Sequence, residues 1–205
     1  DENPHGIVEG FWFPDVTCDL GASWERIIFD WSQHQPTAPT DWHTLNVDDR
    51  WLKAANQCDR EVVALLKNTP AWATSGIPGA GVPSGLYLPV DHPDNHWANF
   101  VRQAASYYAP RCVHRFIIWN EPDISYFKLD LAVDPGRETE EQLDARCAEY
   151  CKLYDYAVAG LLQADEQLCI GGPDLAHRTD FLERFLRHCH SGTNYVTGKK
   201  GSRLD

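Results

Sequence analysis

A chain of 205 residues with 43% hydrophobic residues is large enough for one domain with a buried core, or for a large piece of one. Its net charge of −12 argues against nucleic acid or an anionic membrane as a partner, since both require basic patches. Eight Trp, eight Tyr and eight Phe supply many flat apolar faces, each of which reads as core or, where several meet at strand ends, as the lining of a binding cleft.

"GIVEGFWF" (6–13) reads as a first strand and "SWERIIFDW" (23–31) as a second. Beyond the prolines at 36 and 39, Asp48 or Asp49 caps a helix that carries Trp51, Leu52, Ala55 and Cys58 on one face. "EVVALLKN" (61–68) is a third strand and runs into a long loop rich in Gly and Pro. Loops of that length inside compact domains usually carry function. Asp94 opens a helix with Trp97, Phe100, Val101, Ala104 and Tyr108 at helical spacing, and "VHRFIIW" (113–119) is a fourth strand. After a second long loop, 138–164 is a helix on which Leu143, Cys147, Tyr150, Tyr154, Val158 and Leu161 recur at three and four. "QLCIGGPD" (167–174) is a fifth strand, 179–189 a helix, and the closing "GSRLD" the approach to a sixth strand.

Strands that are almost continuously apolar and alternate with helices predict an α/β protein with a parallel sheet. No Gly-x-Gly-x-x-Gly turn follows a strand, which argues against a dinucleotide-binding sheet. Long loops after strands three, four and five suit a (β/α)8 TIM barrel, whose sites lie at the C-terminal ends of its strands. Residues 1–205 are therefore expected to form the N-terminal part of a single barrel domain carrying about the first five strands. The link of 14–22 between strands one and two is too short for a full crossover helix, so the first unit is either degenerate or lacks a segment.

The seven cysteines are odd in number, so they cannot all pair, and buried free thiols are the simplest reading. No C-x-x-C pair is present, so neither a metal site nor any other cofactor is expected. There is no signal peptide, no apolar run long enough for a bilayer and no N-x-S/T sequon. With no Met in the chain, its first residue is expected to be a processed or cloned boundary, and the compartment stays open between cytoplasm and secretion.

The fourth strand ends abruptly in "WNEPD" (119–123), in residues that bind and ionise. Glu121 beside Trp119 and before Pro122 sits where a carboxyl is partly desolvated, the condition under which carboxyls serve as general acids. Asn120 offers both a donor and an acceptor, as sugar hydroxyls require, and Pro122 fixes the turn. From spacing alone, the same residues also read as the cap of a loop.

"IIWNEPD" resembles the acid/base motif of the retaining glycoside hydrolases of clan A. "GASWERIIFDWSQHQP", "NTPAWA", "GGPDLA" and "GTNYVTGKKGSRLD" are most similar to glycoside hydrolase family 39, which includes β-xylosidases and α-L-iduronidases. The resemblance covers most of the chain and implies a barrel that hydrolyses a glycoside with retention, with a carbohydrate as its partner. It makes Glu121 the acid/base and sets Asn120 against the sugar 2-hydroxyl. Arg26 resembles the arginine near the nucleophile, or else forms a structural ion pair. Trp12, Trp31, Trp72 and Trp119 are candidate faces for sugar rings, or else core.

One departure matters for the chemistry. The nucleophile of the clan is a Glu at the end of a seventh strand, and no residue here matches it. Glu9, Asp15, Asp30 and Asp174 fall near strand ends without a nucleophile's motif. The expected function is thus the acid/base-bearing part of a glycosidase, inactive alone and able to pair with the remainder of a barrel. The alternatives are a non-catalytic carbohydrate-binding remnant and an interaction fragment whose sheet edges seek partners.

Overall fold

The computed structural model describes residues 5–124 and 137–205. Most of the long loop read between 120 and 138 lies outside the described residues. Five parallel strands form one sheet in the order β1 to β5: Gly6–Val8, Trp24–Asp30, Glu61–Lys67, Arg115–Ile118 and Cys169–Gly171. Strictly sequential order is what a (β/α) barrel lays down, whereas a doubly wound sheet reverses direction about its first strand. β1 and β5 stand at the two edges.

Alternation along the strands divides the sheet into two faces. Ile27, Phe29, Val62, Ala64, Leu66, Phe116, Ile118 and Ile170 join the main core. That core is completed by α3 (Asp49–Gln57), α4 (His96–Tyr108), α5 (Glu140–Ala164) and α6 (Thr179–Ser191). The intervening residues Arg26, Ile28, Ile117 and Gly171 face the other way and are half-buried. This is the face that a barrel turns toward its axis.

The helices start where local chemistry places them. The side chain of Asp48 accepts from the Arg50 N–H at the start of α3. α4 is capped by Asn95, one residue beyond the expected Asp94. α5 opens with a capping box in which Thr139 and Gln142 exchange hydrogen bonds. α4 and α5 approach closely because Gly160 has no side chain: a Cβ there would stand 2.9 Å from the Ala98 carbonyl oxygen.

The short link between the first two strands folds as α1 (Pro14–Asp19), a helix of six residues. The first unit is therefore a shortened one, and its crossover is still parallel. A disulfide from Cys18 in α1 to Cys58 at the end of α3 braces it, with Cα atoms 5.7 Å apart. This corrects the expectation of free thiols for two of the cysteines. Nothing local signals a pair 40 residues apart that folding brings together. Cys147 and Cys151 are buried free thiols, and a hydrogen bond that the Cys151 thiol makes to Cys147, together with burial, pushes the Cys151 thiol upward. Closing a loop of this length constrains the unfolded chain, so reduction is expected to lower stability by about 4 kcal/mol. Urea unfolding of the parent with and without reductant, beside the Cys18→Ser/Cys58→Ser double variant, checks this. Equal midpoints in all three would show that the bond does not brace the fold.

Candidate active site

The backbone at the end of β4 is unusual. Trp119 and Glu121, on either side of Asn120, both adopt left-handed conformations, with φ of 67° and 50°. Non-glycine residues in that region cost roughly 1–3 kcal/mol each and persist only where their surroundings over-determine them. The restraints here are visible. The Trp119 N–H donates to the Leu66 carbonyl at 2.9 Å, and the Tyr150 hydroxyl, on α5, donates to the Ile118 carbonyl at 2.7 Å. The Glu121 N–H donates to the Asp174 carbonyl at 2.6 Å, and Asn120 and Asp174 form a parallel bridge beyond β5. The ladder between β4 and β5 thus resumes just where the motif stands, and both Asn120 and Glu121 are half-buried.

Two more strands end the same way. Glu9 follows β1 with φ of 54° and Asn68 follows β3 with φ of 69°. The Asn68 amide donates to Asp30 at 2.6 Å, and Asp30 also caps the short α2 (Trp31–His34). Four of the six positive-φ non-glycine residues among the described residues thus stand at the C-terminal rim of the sheet, while Asp59 and Cys112 precede β3 and β4 at the other.

Arg26, on the inner face of β2, forms an ion pair with Asp174. β3 and β4 lie between β2 and β5, so the pair spans this face of the sheet and holds Asp174, whose backbone bridges to the Asn120–Glu121 turn. Of the two readings open for Arg26, the structure displays the ion pair. The Arg26 Nε is buried and finds no hydrogen-bond partner among the described residues.

The four tryptophans separate. Trp31 is 0% exposed, stacks on Phe100 and donates its indole N–H to Gln35 at 2.7 Å. Trp119 is 1% exposed and lies edge-on to Trp97. Both rings belong to the core, which corrects their reading as sugar-stacking faces: the helix layer already covers them. Trp72, at the end of β3, is half-buried, with its N–H on the Gln35 carbonyl at 2.6 Å and its ring against His96. Burial lowers the His96 pKa, which favours the neutral imidazole. Trp12 lies beyond β1, 65% exposed, beside Phe11, which stacks on Trp51 of α3. The structure thus brings Arg26, Asn120 and Glu121 together through Asp174, keeps Trp72 and Trp12 accessible, and removes Trp31 and Trp119.

Other residues of the site escaped the sequence reading. Asp123, fully buried, accepts from three successive backbone N–H groups, those of Ala176, His177 and Arg178, each at 3.0 Å. Arg146 of α5 donates to the Pro122 carbonyl at 3.0 Å and to Glu138 at 3.0 Å, and Glu138 is also bound by Arg178. The one local signal was a carboxyl directly after the proline of the motif. Among the described residues no three His, Cys, Asp or Glu side chains converge as metal ligands, and no helix is long and apolar enough to cross a membrane.

Comparison with known proteins adds to this geometry. Residues 79–205 match the family profile described as Glycosyl hydrolases family 39. Human α-L-iduronidase is 35% identical over 94 residues, which is 44% of this chain and 12% of that protein. The solved bacterial orthologue of human α-L-iduronidase superposes with a TM-score of 0.61 at 18% identity, over 98% of this chain and 32% of its own. A family 39 glycoside hydrolase from Bacteroides cellulosilyticus WH2 does so with a TM-score of 0.58 at 13% identity, over 83% of this chain and 31% of its own. The chain thus spans about a third of these structures and a smaller share of the human relative.

Proposed function

Because the chain belongs to glycosyl hydrolase family 39, we propose that it forms the acid/base-bearing part of a retaining glycosidase. The observation that carries this reading is the left-handed turn at the end of β4. It sets Glu121 and Asn120 at the C-terminal rim of a parallel sheet, where barrel active sites lie. In the reaction Glu121 protonates the oxygen of the departing group, and then takes a proton from the water that releases the sugar. Asn120 holds the 2-hydroxyl. Arg26, through its ion pair, holds Asp174, the residue whose carbonyl accepts from the Glu121 N–H. Trp72 and Trp12 offer ring faces to the sugars.

A retaining mechanism needs a second carboxyl about 5–5.5 Å from the first, as nucleophile. No carboxylate among the described residues carries the motif of that nucleophile, so we assign it to a seventh strand of the full-length protein. Two open sheet edges and exposed Phe13, Val16 and Leu20 along α1 are what a partial barrel awaiting further strands and helices would present. The α-L-iduronidase relatives make an α-L-iduronide the first substrate to try. The Cys18–Cys58 disulfide supports an oxidising, secretory compartment.

A second reading, a carbohydrate-binding chain without turnover, is favoured by the missing second carboxyl. Proton NMR of the released sugar separates them. The full-length protein is expected to release the anomer with the configuration of its substrate, and the 205-residue chain to release none. An inverted product would sink the retaining mechanism. Sugar binding without hydrolysis by the full-length protein would support the second reading.

A further inference from the structure

Asp123 is two residues beyond Glu121 and has no role in the chemistry just described. It is fully buried, and both carboxylate oxygens are engaged. One accepts from the Ala176 N–H, the other from those of His177 and Arg178. These donors lie two to four residues beyond Asp174, whose carbonyl accepts from the Glu121 N–H and whose carboxylate meets Arg26. The loop after β5 is thus tied to the motif twice, by backbone at 121 and by side chain at 123. A second circuit closes around the first: Arg178 binds Glu138, Glu138 binds Arg146, and Arg146 holds the Pro122 carbonyl.

We infer that Asp123 is a positioning residue: it locks the β5–α6 loop to the Asn120–Glu121 turn and so sets where the Glu121 carboxyl stands relative to Asp174 and the leaving oxygen. This rests on the reading of Glu121 as acid/base.

The left-handed turn is strained and relaxes toward ordinary backbone unless it is held. Asp123 joins the turn to the neighbouring loop through its side-chain acceptors. Burial raises the Asp123 carboxyl, but the backbone donors outweigh it and hold it below the ordinary carboxylate range. A depressed folded pKa means that the clamp is intact above the ordinary carboxyl pKa and is lost as pH falls through the lowered value. Asparagine is the informative replacement. It keeps the shape, loses the charge and turns an N–H against at least one of the donors.

In the full-length enzyme Asp123→Asn is expected to lower kcat on an unactivated glycoside about 10²-fold, the effect of a misplacement near 1 Å, with KM little changed. The loss should be smaller on an activated aryl glycoside, and the pH–rate profile should move. Amide exchange at 176–178 should accelerate while α4 and α5 stay protected. A folded variant with parental kcat and pH profile overturns the inference, provided that Glu121→Gln in the same assay is impaired. If Glu121→Gln keeps the parental rate, the acid/base reading itself has failed, and the role of Asp123 falls with it. Should Asp123→Asn not fold, the parent still decides. On acidification the amide resonances of 176–178 and of Glu121, whose N–H donates to the Asp174 carbonyl, are expected to respond in one step with Asp123. A Glu121 amide that ignores that step overturns the coupling.

Discussion

Glu121→Gln in the full-length protein is expected to slow hydrolysis of unactivated glycosides by about 10²- to 10⁴-fold, the usual contribution of a positioned acid/base. Glutamine keeps the shape and a hydrogen bond, but it neither gives nor takes a proton. The loss should depend on the leaving group. An alcohol or a second sugar must be protonated as it departs, so its release slows by the full factor. An activated phenolate departs without that help, so its first step stays close to the parental rate. The second step still needs a base, so a glycosyl-enzyme should accumulate and appear in intact-mass spectra. Azide, a nucleophile that needs no deprotonation, should release it as the glycosyl azide. Parental turnover of an unactivated glycoside by this variant would remove Glu121 from the role of acid.

The largest expected change in stability lies at the opposite end of the sheet. Glu25 and Arg60, near the N-terminal ends of β2 and β3, form an ion pair at 3.0 Å in which both side chains are fully buried. One carboxylate oxygen and both terminal guanidinium nitrogens find no hydrogen-bond partner among the described residues. Glu25→Ala leaves the guanidinium buried and unpaired, which is expected to cost about 3–5 kcal/mol. Replacing both residues with leucine removes the unpaired charge as well as the pair, and is expected to recover most of that loss or to exceed the parent. Urea midpoints of the single and double variants measure both effects. A single variant as stable as its parent would mean that water reaches the guanidinium. Because the pair is remote from the β4 turn, the double variant should keep sugar binding intact.

The alternation of strands and helices, the parallel sheet and the placing of the motif at the end of β4 were all legible in the sequence. Each is written in residues close together along the chain. Apolar runs of strand length, helical spacing on α4 and α5, and a proline directly after Glu121 carry their meaning locally. The family resemblance rested on the same kind of contiguous text. What only the tertiary structure decided are relations between distant segments. Trp31 and Trp119 looked as exposed in the sequence as Trp72 does, since all sit near strand ends; the helix layer packed over the first two made them core. Arg26 found its carboxylate 148 residues away, and Cys18 its partner 40 residues away. The left-handed turns at Trp119 and Glu121 contradict the backbone preference of their own residues. They exist because Leu66, Tyr150 and Asp174 hold them from three other elements. Local pattern encodes what a segment prefers by itself. A site built from strained turns and buried charges is held by contacts whose free energy arises only once the chain has closed around them.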